Sequence, residues 1–542
     1  MIDALRADRV SVETGNPRTP NLAALAADGV TFRNAFASAP KTVPSVPQTF
    51  TSRYFPDSRH DFTLLSAWKD AGYDRTMAFI HNPYVTKWLG RLDPTFDLLR
   101  GGEFDAVRIT DDAIDALSRR GSDRIALYVH YLDVHVPLRP PADVAARFVD
   151  PSYRGPVGLE FADIPGAWAG RYDAADQQRI GDLYDATVAA TDAQVGRLVE
   201  TLRAEGLYDR ALVIVTSDHG EELWEHGAFF HGHSLYDELL HVPLIVKFPG
   251  AWSAGARVDG LAGTIDILPT VTDLLSRASG GKLAWPERDG RSLVPLVTGE
   301  AAPRTLFATV GRVDDRSPPL HAVRSDNAKL IHDVRDGREQ LFDLDRDPAE
   351  RSDLAADSSS ADRLATLRKE LDHHMEPLAR TGVHVRLTNG AASALHYGLE
   401  IGMKFVAPFV NFARFGLEGE DRIEVRRSDG LTMLGVLGPG DVDEVRFEVL
   451  ATQGAITSVL TARESSPAID VCVVNEADCV RSDGARMELD LARLETTAPP
   501  TRQPPPSSVR VEWWKIAGES EPMSPGLSPA DRERLRALGY AE

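Results

Sequence analysis

Between Ala211 and Pro249 the chain reads ALVIVTSDHGEELWEHGAFFHGHSLYDELLHVPLIVKFP. Asp218 and His219 stand side by side after an apolar, β-branched run, and Gly220 follows them. A carboxylate beside an imidazole is a donor pair for a metal ion, and the glycine lets the backbone turn closely. His226, His231 and His233 come next, ahead of a second apolar run from Val242 to Phe248. So much imidazole between two buried strands is costly unless it binds something. Taken alone, Asp-His-Gly also reads as an ordinary turn with a hydrogen-bonded histidine.

Three further places carry candidate chemistry. Asp3 closes Met1-Ile2-Asp3, which reads as the end of a buried strand whose beginning lies upstream. His135 follows the apolar run Ile125 to Leu132, in Asp133-Val-His-Val-Pro137. Lys41-Thr42-Val43 and Ser45 lie among prolines in AFASAPKTVPSVPQTFTSRYFP. Such a segment can hold a hydroxyl in a fixed pose near a helix start, where backbone N–H groups favour anions. A proline-rich surface turn is the alternative.

The elements around these residues place them together. Apolar runs at Thr76–Ile80, Ile125–Leu132 and Ala211–Val215 read as buried strands, each ending in polar residues. Helical patterns lie between them. Thr19 as N-cap, Pro20 at the first helical position and Gly29 past the end bound one helix. Asp111–Arg120 reads as another. Gln177–Glu205 is a long one, with Ile180, Leu183, Tyr184, Val195, Leu198, Val199 and Leu202 forming a core-facing stripe. Asp266-Ile-Leu-Pro269-Thr turns into a helix, Leu341–Pro348 reads as strand and turn, and 361–378 as helical. This alternation predicts a mostly parallel sheet covered on both faces, with ligands at the carboxyl ends of its strands. Beyond Gly382 the period changes to two, at Val383, Val385 and Leu387 and again at Val445, Phe447 and Val449. That predicts a separate β-rich domain over 382–494, a small sandwich. Residues 495–510 read as a proline-rich linker, and 511–542 as a tail with one short docking helix.

Composition bounds the function. With 542 residues, 43% hydrophobic and 26% charged, the chain is long enough for more than one domain and reads as globular. Its net charge of −21 argues against nucleic acid and against an anionic membrane surface. An anionic substrate would need a local positive centre, which a bound metal could provide. No apolar run is long enough to span a bilayer and no export signal is present; with the start reading as incomplete, location stays open between cytoplasm and a periplasmic or extracellular site. Cys472 and Cys479 could close a hairpin disulfide or remain two buried thiols.

In order along the chain, these stretches resemble the sulfatase family of the alkaline-phosphatase superfamily. The resemblance is carried by Asp3-Ala-Leu-Arg-Ala-Asp8, Thr19-Pro-Asn-Leu with Gly29-Val-Thr-Phe32, and Thr42-Val-Pro44-Ser45. It continues through Asp133-Val-His135-Val-Pro137, Ser217-Asp-His-Gly220, His233-Ser-Leu-Tyr-Asp-Glu238 with Val242-Pro-Leu-Ile245, Asp266-Ile-Leu-Pro-Thr270, Leu341–Pro348 and Leu535–Tyr540. It implies a catalytic domain over 1–378 with an alkaline-phosphatase-like α/β sandwich fold and a mostly parallel central sheet.

The chain also departs from the family pattern. Most sulfatases have Cys or Ser where Thr42 stands, oxidised to formylglycine, and an arginine where Val46 stands. Threonine would give a ketone, so formylglycine is not expected. Ala4 replaces a second acidic metal ligand, and Gly232 replaces a substrate-contacting lysine. Lipoteichoic acid synthases and lipid A phosphoethanolamine transferases resemble sulfatases but use a threonine nucleophile on one metal ion. That likeness implies Asp3, Thr42, Asp218 and His219 as metal ligands, with manganese, zinc or magnesium favoured over calcium. Thr42 would attack sulfur or phosphorus, and His135 or His233 would protonate the leaving oxygen; spacing leaves His231 open in place of His233. His226 and His241 read as structural or exposed, and Asn82 as a weak substrate contact. The expected function is metal-dependent hydrolysis of a sulfate or phosphate ester of a small molecule, glycan or lipid. The alternatives are a phosphodiesterase or phosphoryl-group transferase, and a decayed site whose β-rich domain binds a partner.

Overall fold

In this computed structural model residues 1–515 are described, except 15–17, 55–61, 93, 103–104, 311–319, 334–336, 376–380, 403–412, 416–421, 428–429, 450–454, 463–468, 474–478, 483–484 and 491–507. Contacts divide the chain into two compact units, one of Met1–Val310 with Ser317–Leu371, the other from Asp372 onward.

The elements that position the site, numbered in chain order, are helix α1 (Pro20–Asp28), strand β1 (Val30–Phe32), α2 (Thr42–Thr51), β2 (Arg75–Ile80), α3 (Pro83–Leu89), β3 (Leu98–Gly101), α4 (Ala106–Ser118), β4 (Ile125–His130), α5 (Ala174–Ala204), β5 (Val213–Thr216), β6 (Leu244–Lys247), β7 (Ala256–Val258) and α6 (Ile267–Ala278). β3, β2 and β4 pair in parallel. β5, β6, β1 and β7 form a second ladder in which β6 runs antiparallel to both neighbours. Met1–Asp3 lies between the two ladders. Ile2 bridges Tyr131 in parallel, and its N–H donates to the Thr216 carbonyl at 2.9 Å.

The strand runs are continuous in apolar residues because both sheet faces are covered. Along β2, Met77 and Phe79 pack with Ile180, Leu183 and Tyr184 of α5, whereas Ala78 and Ile80 pack with Val46 and Phe50 of α2 and Leu268 of α6. Successive side chains of a strand point to opposite faces, so one strand feeds both cores.

Local punctuation differs from expectation in three places. α5 starts at Ala174, capped by Asp173, whose side chain accepts from Ala175 and Asp176 N–H while Asp176 reaches back. α4 begins at Ala106 rather than near Asp111, because Asp105 caps it by accepting from the Arg108 N–H. Thr19 does not cap α1 with its side chain; it exchanges hydrogen bonds with Ser11. Gly29 is required there for space rather than for a left-handed turn, since its φ is −130° and a Cβ would lie 2.8 Å from the Val246 carbonyl oxygen.

The first unit continues with a four-stranded antiparallel meander, Leu306–Val310, Leu320–Arg324, Ala328–Asp333 and Glu339–Asp343, of which only the last was legible in the sequence. Helix Ala361–Met375 follows. The second unit holds a six-stranded and a five-stranded sheet, mostly antiparallel. Ser508–Lys515, read as linker and tail, is instead a strand between Thr381–Asn389 and Ile469–Val473. Its alternation, with Val509, Val511 and Trp513 buried, was hidden behind the proline run. Cys472 and Cys479 stand opposite each other in the backbone register of one hairpin. The proline-rich stretch 495–507 and the tail beyond 515 lie outside the described residues. Among the described residues no helix is long and apolar enough to cross a membrane.

Candidate active site

The carboxyl ends of Met1–Asp3, β2, β4 and β5 meet the N-terminus of α2. Asp3 is fully buried, and the chain leaves it through Ala4 at φ 56°. A non-glycine residue there is strained, and the turn is held by its neighbours. The Ala4 N–H donates to Asp218 Oδ1 (3.3 Å), the Leu5 N–H to Ser217 Oγ (2.9 Å), and Tyr184 donates its hydroxyl to the Ala4 carbonyl (2.6 Å). Ser45, one turn into α2, donates to the Asp218 carbonyl at 2.5 Å. Helix α2 is thus tied to the turn after β5, which sets Thr42 over Asp3 and His219.

Thr42 Oγ1 lies 3.3 and 3.5 Å from the Asp3 carboxylate oxygens and 3.2 Å from His219 Nε2. His219 Nδ1 donates to the Gly220 carbonyl at 2.8 Å, which leaves Nε2 as the lone-pair nitrogen facing Thr42 and Asp3. Asp218 Oδ2 is buried without a hydrogen-bond partner, 3.7 Å from His219 Nε2.

One donor atom each from Asp3, Asp218 and His219 lie within 4.8 Å of one another. Two buried carboxylates facing each other repel, and their proton affinities separate. Burial, then the Asp3 charge, push the Asp218 carboxyl up. Burial also works to raise Asp3, but the hydrogen bond from His130 and the charges of His135 and His219 outweigh it and hold that carboxyl low. An orphaned carboxylate oxygen, a second carboxylate and an imidazole lone pair converging in a dry site fit a divalent cation.

Three residues around Asp3 had little or no sequence signal. Asn82 Nδ2 donates to Asp3 Oδ2 at 2.9 Å while its Oδ1 caps α3, so it holds the carboxylate from the end of β2. His130 Nε2 lies 3.1 Å from the same oxygen, and Tyr128 OH lies 2.7 Å from His130 Nδ1. A carboxylate only accepts, so Nε2 carries a proton and Nδ1 takes the tyrosine hydrogen. Tyr128 and His130 are two apart at the end of β4 and share a face; that spacing was the available signal, masked by the apolar run around it.

The opposite wall is built from imidazoles. The His231 ring is 4.3 Å from that of His219 and 4.8 Å from that of His135. His231 Nδ1 is 2.9 Å from buried Glu221 Oε1. Burial, then the charges of His219, His135 and Lys41, push His231 well below the usual histidine range. His233 instead lies 2.6 Å from Glu222 Oε2, so the structure brings His231 rather than His233 against His219 and His135. The backbone reverses at Phe230 (φ 84°) and Gly232 (φ 82°), which fixes this choice in three dimensions and not in spacing. His226 pairs with Glu238 and stacks on Tyr236, and His241 bonds the Arg33 carbonyl; both are structural. Val46 is buried in the core of α2, so no cation arises there.

Comparison with known proteins identifies the family. The sulfatase family model matches residues 1–277, and that of the N-sulphoglucosamine sulphohydrolase C-terminal region matches 224–377. The uncharacterized sulfatase YidJ of Escherichia coli is 24% identical over 454 residues, 70% of this chain and 86% of that protein. Choline-sulfatase of Rhizobium meliloti is 32% identical over 184 residues, 34% of this chain and 35% of that enzyme. Among solved structures, the phosphonate monoester hydrolase of Agrobacterium radiobacter superposes with a TM-score of 0.57 at 22% identity, over 69% of this chain and 95% of that one. A protein solved in complex with its substrate D-glucosamine-2-N,6-O-disulfate gives 0.58 at 20% identity, over 69% and 96%. The chain belongs to the sulfatase family of the alkaline-phosphatase superfamily, a family of ester hydrolases.

Proposed function

We propose that this protein hydrolyses a sulfate or phosphate ester by way of a covalent ester on Thr42, with Asp3, Thr42, Asp218 and His219 holding one divalent cation. The observation that carries this reading is Thr42 Oγ1 within 3.5 Å of both Asp3 oxygens and of the His219 Nε2 lone pair. A bound cation supplies positive charge beside the Thr42 hydroxyl and the oxygens of the transferred group. Asp3 and His219 hold Thr42 Oγ1 in position. Thr42 gives its hydroxyl proton to solvent water, and Oγ then forms a bond to sulfur or phosphorus as the bond to the leaving oxygen breaks. His135 gives that oxygen its proton, beside His231, whose Nδ1 is held by Glu221. Water then attacks sulfur or phosphorus, returns a proton to His135 and frees the inorganic anion as the bond to Thr42 Oγ breaks, leaving that oxygen unprotonated for the next substrate.

Thr42 and the absence of an arginine at Val46 favour phosphorus chemistry as a second reading, hydrolysis or transfer of a phosphodiester group. A panel of aryl sulfate, aryl phosphate and aryl phosphodiester with added manganese, zinc or magnesium separates the two. Turnover of any of them unchanged in Thr42→Ala refutes the threonine route.

A further inference from the structure

Nothing in the metal-ligand set explains how the site grips an anion from the side away from the cation. The walls carry carboxylates at Asp3, Asp218, Glu221 and Glu222, all buried. Arg6 is engaged by Asp8, Glu225 and the Glu221 carbonyl. Gly232 offers no side chain, yet the space above it is filled. A Cβ built on Gly232 would lie 1.8 Å from Lys41 Cε and 2.8 Å from its Cδ and Cγ. The Lys41 stem therefore crosses the backbone between His231 and His233. Lys41 is also the residue before Thr42, in extended conformation at the start of α2.

We propose that Lys41 is the cation that holds the non-bridging oxygens of the sulfuryl or phosphoryl group during its transfer to Thr42. Gly232 is the residue that leaves room for it. The charge is delivered from the nucleophile's own helix rather than from the histidine loop, so nucleophile and anion grip move as one body. Lysine suits this use, as a compact charge on a flexible stem. The proposal rests on the Thr42 reading given above.

The test uses the full chain with added metal and inorganic sulfate and phosphate as probes. Lys41→Met keeps the stem and removes the charge; it should weaken inhibition by the anion on the order of tenfold or more and raise KM, since a charge-assisted bond is lost. Metal affinity should stay within about twofold of the parent, because Lys41 is outside the ligand set. Lys41→Arg should recover part of the anion affinity. Gly232→Ala should weaken anion binding when Lys41 is present and add little in a Lys41→Met background, as expected for two residues that share one space. If Lys41→Met fails to fold, Lys41→Gln serves the same comparison. Anion inhibition unchanged in Lys41→Met, in a protein whose turnover still needs Thr42, overturns the proposal alone. Turnover independent of Thr42 overturns the Thr42 reading, and this proposal with it.

Discussion

Tyr128 offers a sharp test of how the carboxylate proposed as a metal ligand is held, because one oxygen atom can be removed from a fully enclosed chain of hydrogen bonds. Tyr128 OH, His130 and Asp3 are linked at 2.7 and 3.1 Å, with Asn82 completing the Asp3 oxygen at 2.9 Å. Tyr128→Phe leaves His130 Nδ1 buried without its donor. The ring can then turn or change tautomer, and Asp3 loses a fixed partner. Such outer partners are worth about 10- to 100-fold in metal affinity, or about 1.4 to 2.7 kcal/mol. Folding of the metal-free protein carries a separate cost of about 1 to 3 kcal/mol for the unpaired nitrogen. The two effects separate by measurement. Chelator competition gives the affinity directly. Thermal unfolding with and without metal gives the stabilisation due to binding, which shrinks by about 1.4 kcal/mol for each tenfold loss of affinity. Metal affinity within twofold of the parent, with only the metal-free protein destabilised, would show that the Tyr128–His130 pair serves packing and does not position Asp3.

Other consequences follow from the same geometry. His135→Ala should lower kcat by about 100-fold or more, as for loss of a general acid, with metal affinity little changed, read by steady-state kinetics and chelator competition. Parent-like kcat would remove His135 from the mechanism. His226, pushed up to about 9, where the hydrogen bond and charge of Glu238 outweigh burial, gives a pH signature in stability. A raised histidine contributes fully below about 6.5 and loses its contribution as pH climbs through about 9. Parent stability should therefore fall relative to His226→Gln between pH 7 and 9.5, by about 1 kcal/mol after allowance for solvent screening; parallel melting profiles would contradict this. Gly29→Ala places a methyl 2.8 Å from the Val246 carbonyl and should destabilise by about 1 to 3 kcal/mol in denaturant unfolding, whereas a neutral result would mean that β6 yields.

Much of the site was legible because its members sit at strand ends. Asp3, Asp218 and His219 each follow an apolar run, and topology alone carries such residues to one edge of the sheet. Thr42 was singled out by the family resemblance, since the prolines around it read equally as a surface turn. The Asp3 supports were not, since Asn82 and His130 act on a partner 79 and 127 residues away, and no local pattern encodes that. His231 and His233 could not be told apart because positive φ at Phe230 and Gly232 breaks the alternation that would assign their directions. The strand Ser508–Lys515 depends on pairing with Thr381–Asn389, more than a hundred residues earlier, and the prolines before it read as linker. Lys41 over Gly232 is likewise a contact between segments distant in sequence.

The central claim is that Thr42 carries the transferred group. Rapid-quench mass spectrometry of the peptide that contains Thr42, taken from metal-loaded protein turning over an aryl sulfate or aryl phosphodiester, tests it most directly. A sulfuryl or phosphoryl adduct on Thr42 that forms before steady state, decays as product accumulates and is absent from Thr42→Ala is the result expected. Full turnover with no adduct at Thr42, at the same rate in Thr42→Ala, would contradict it.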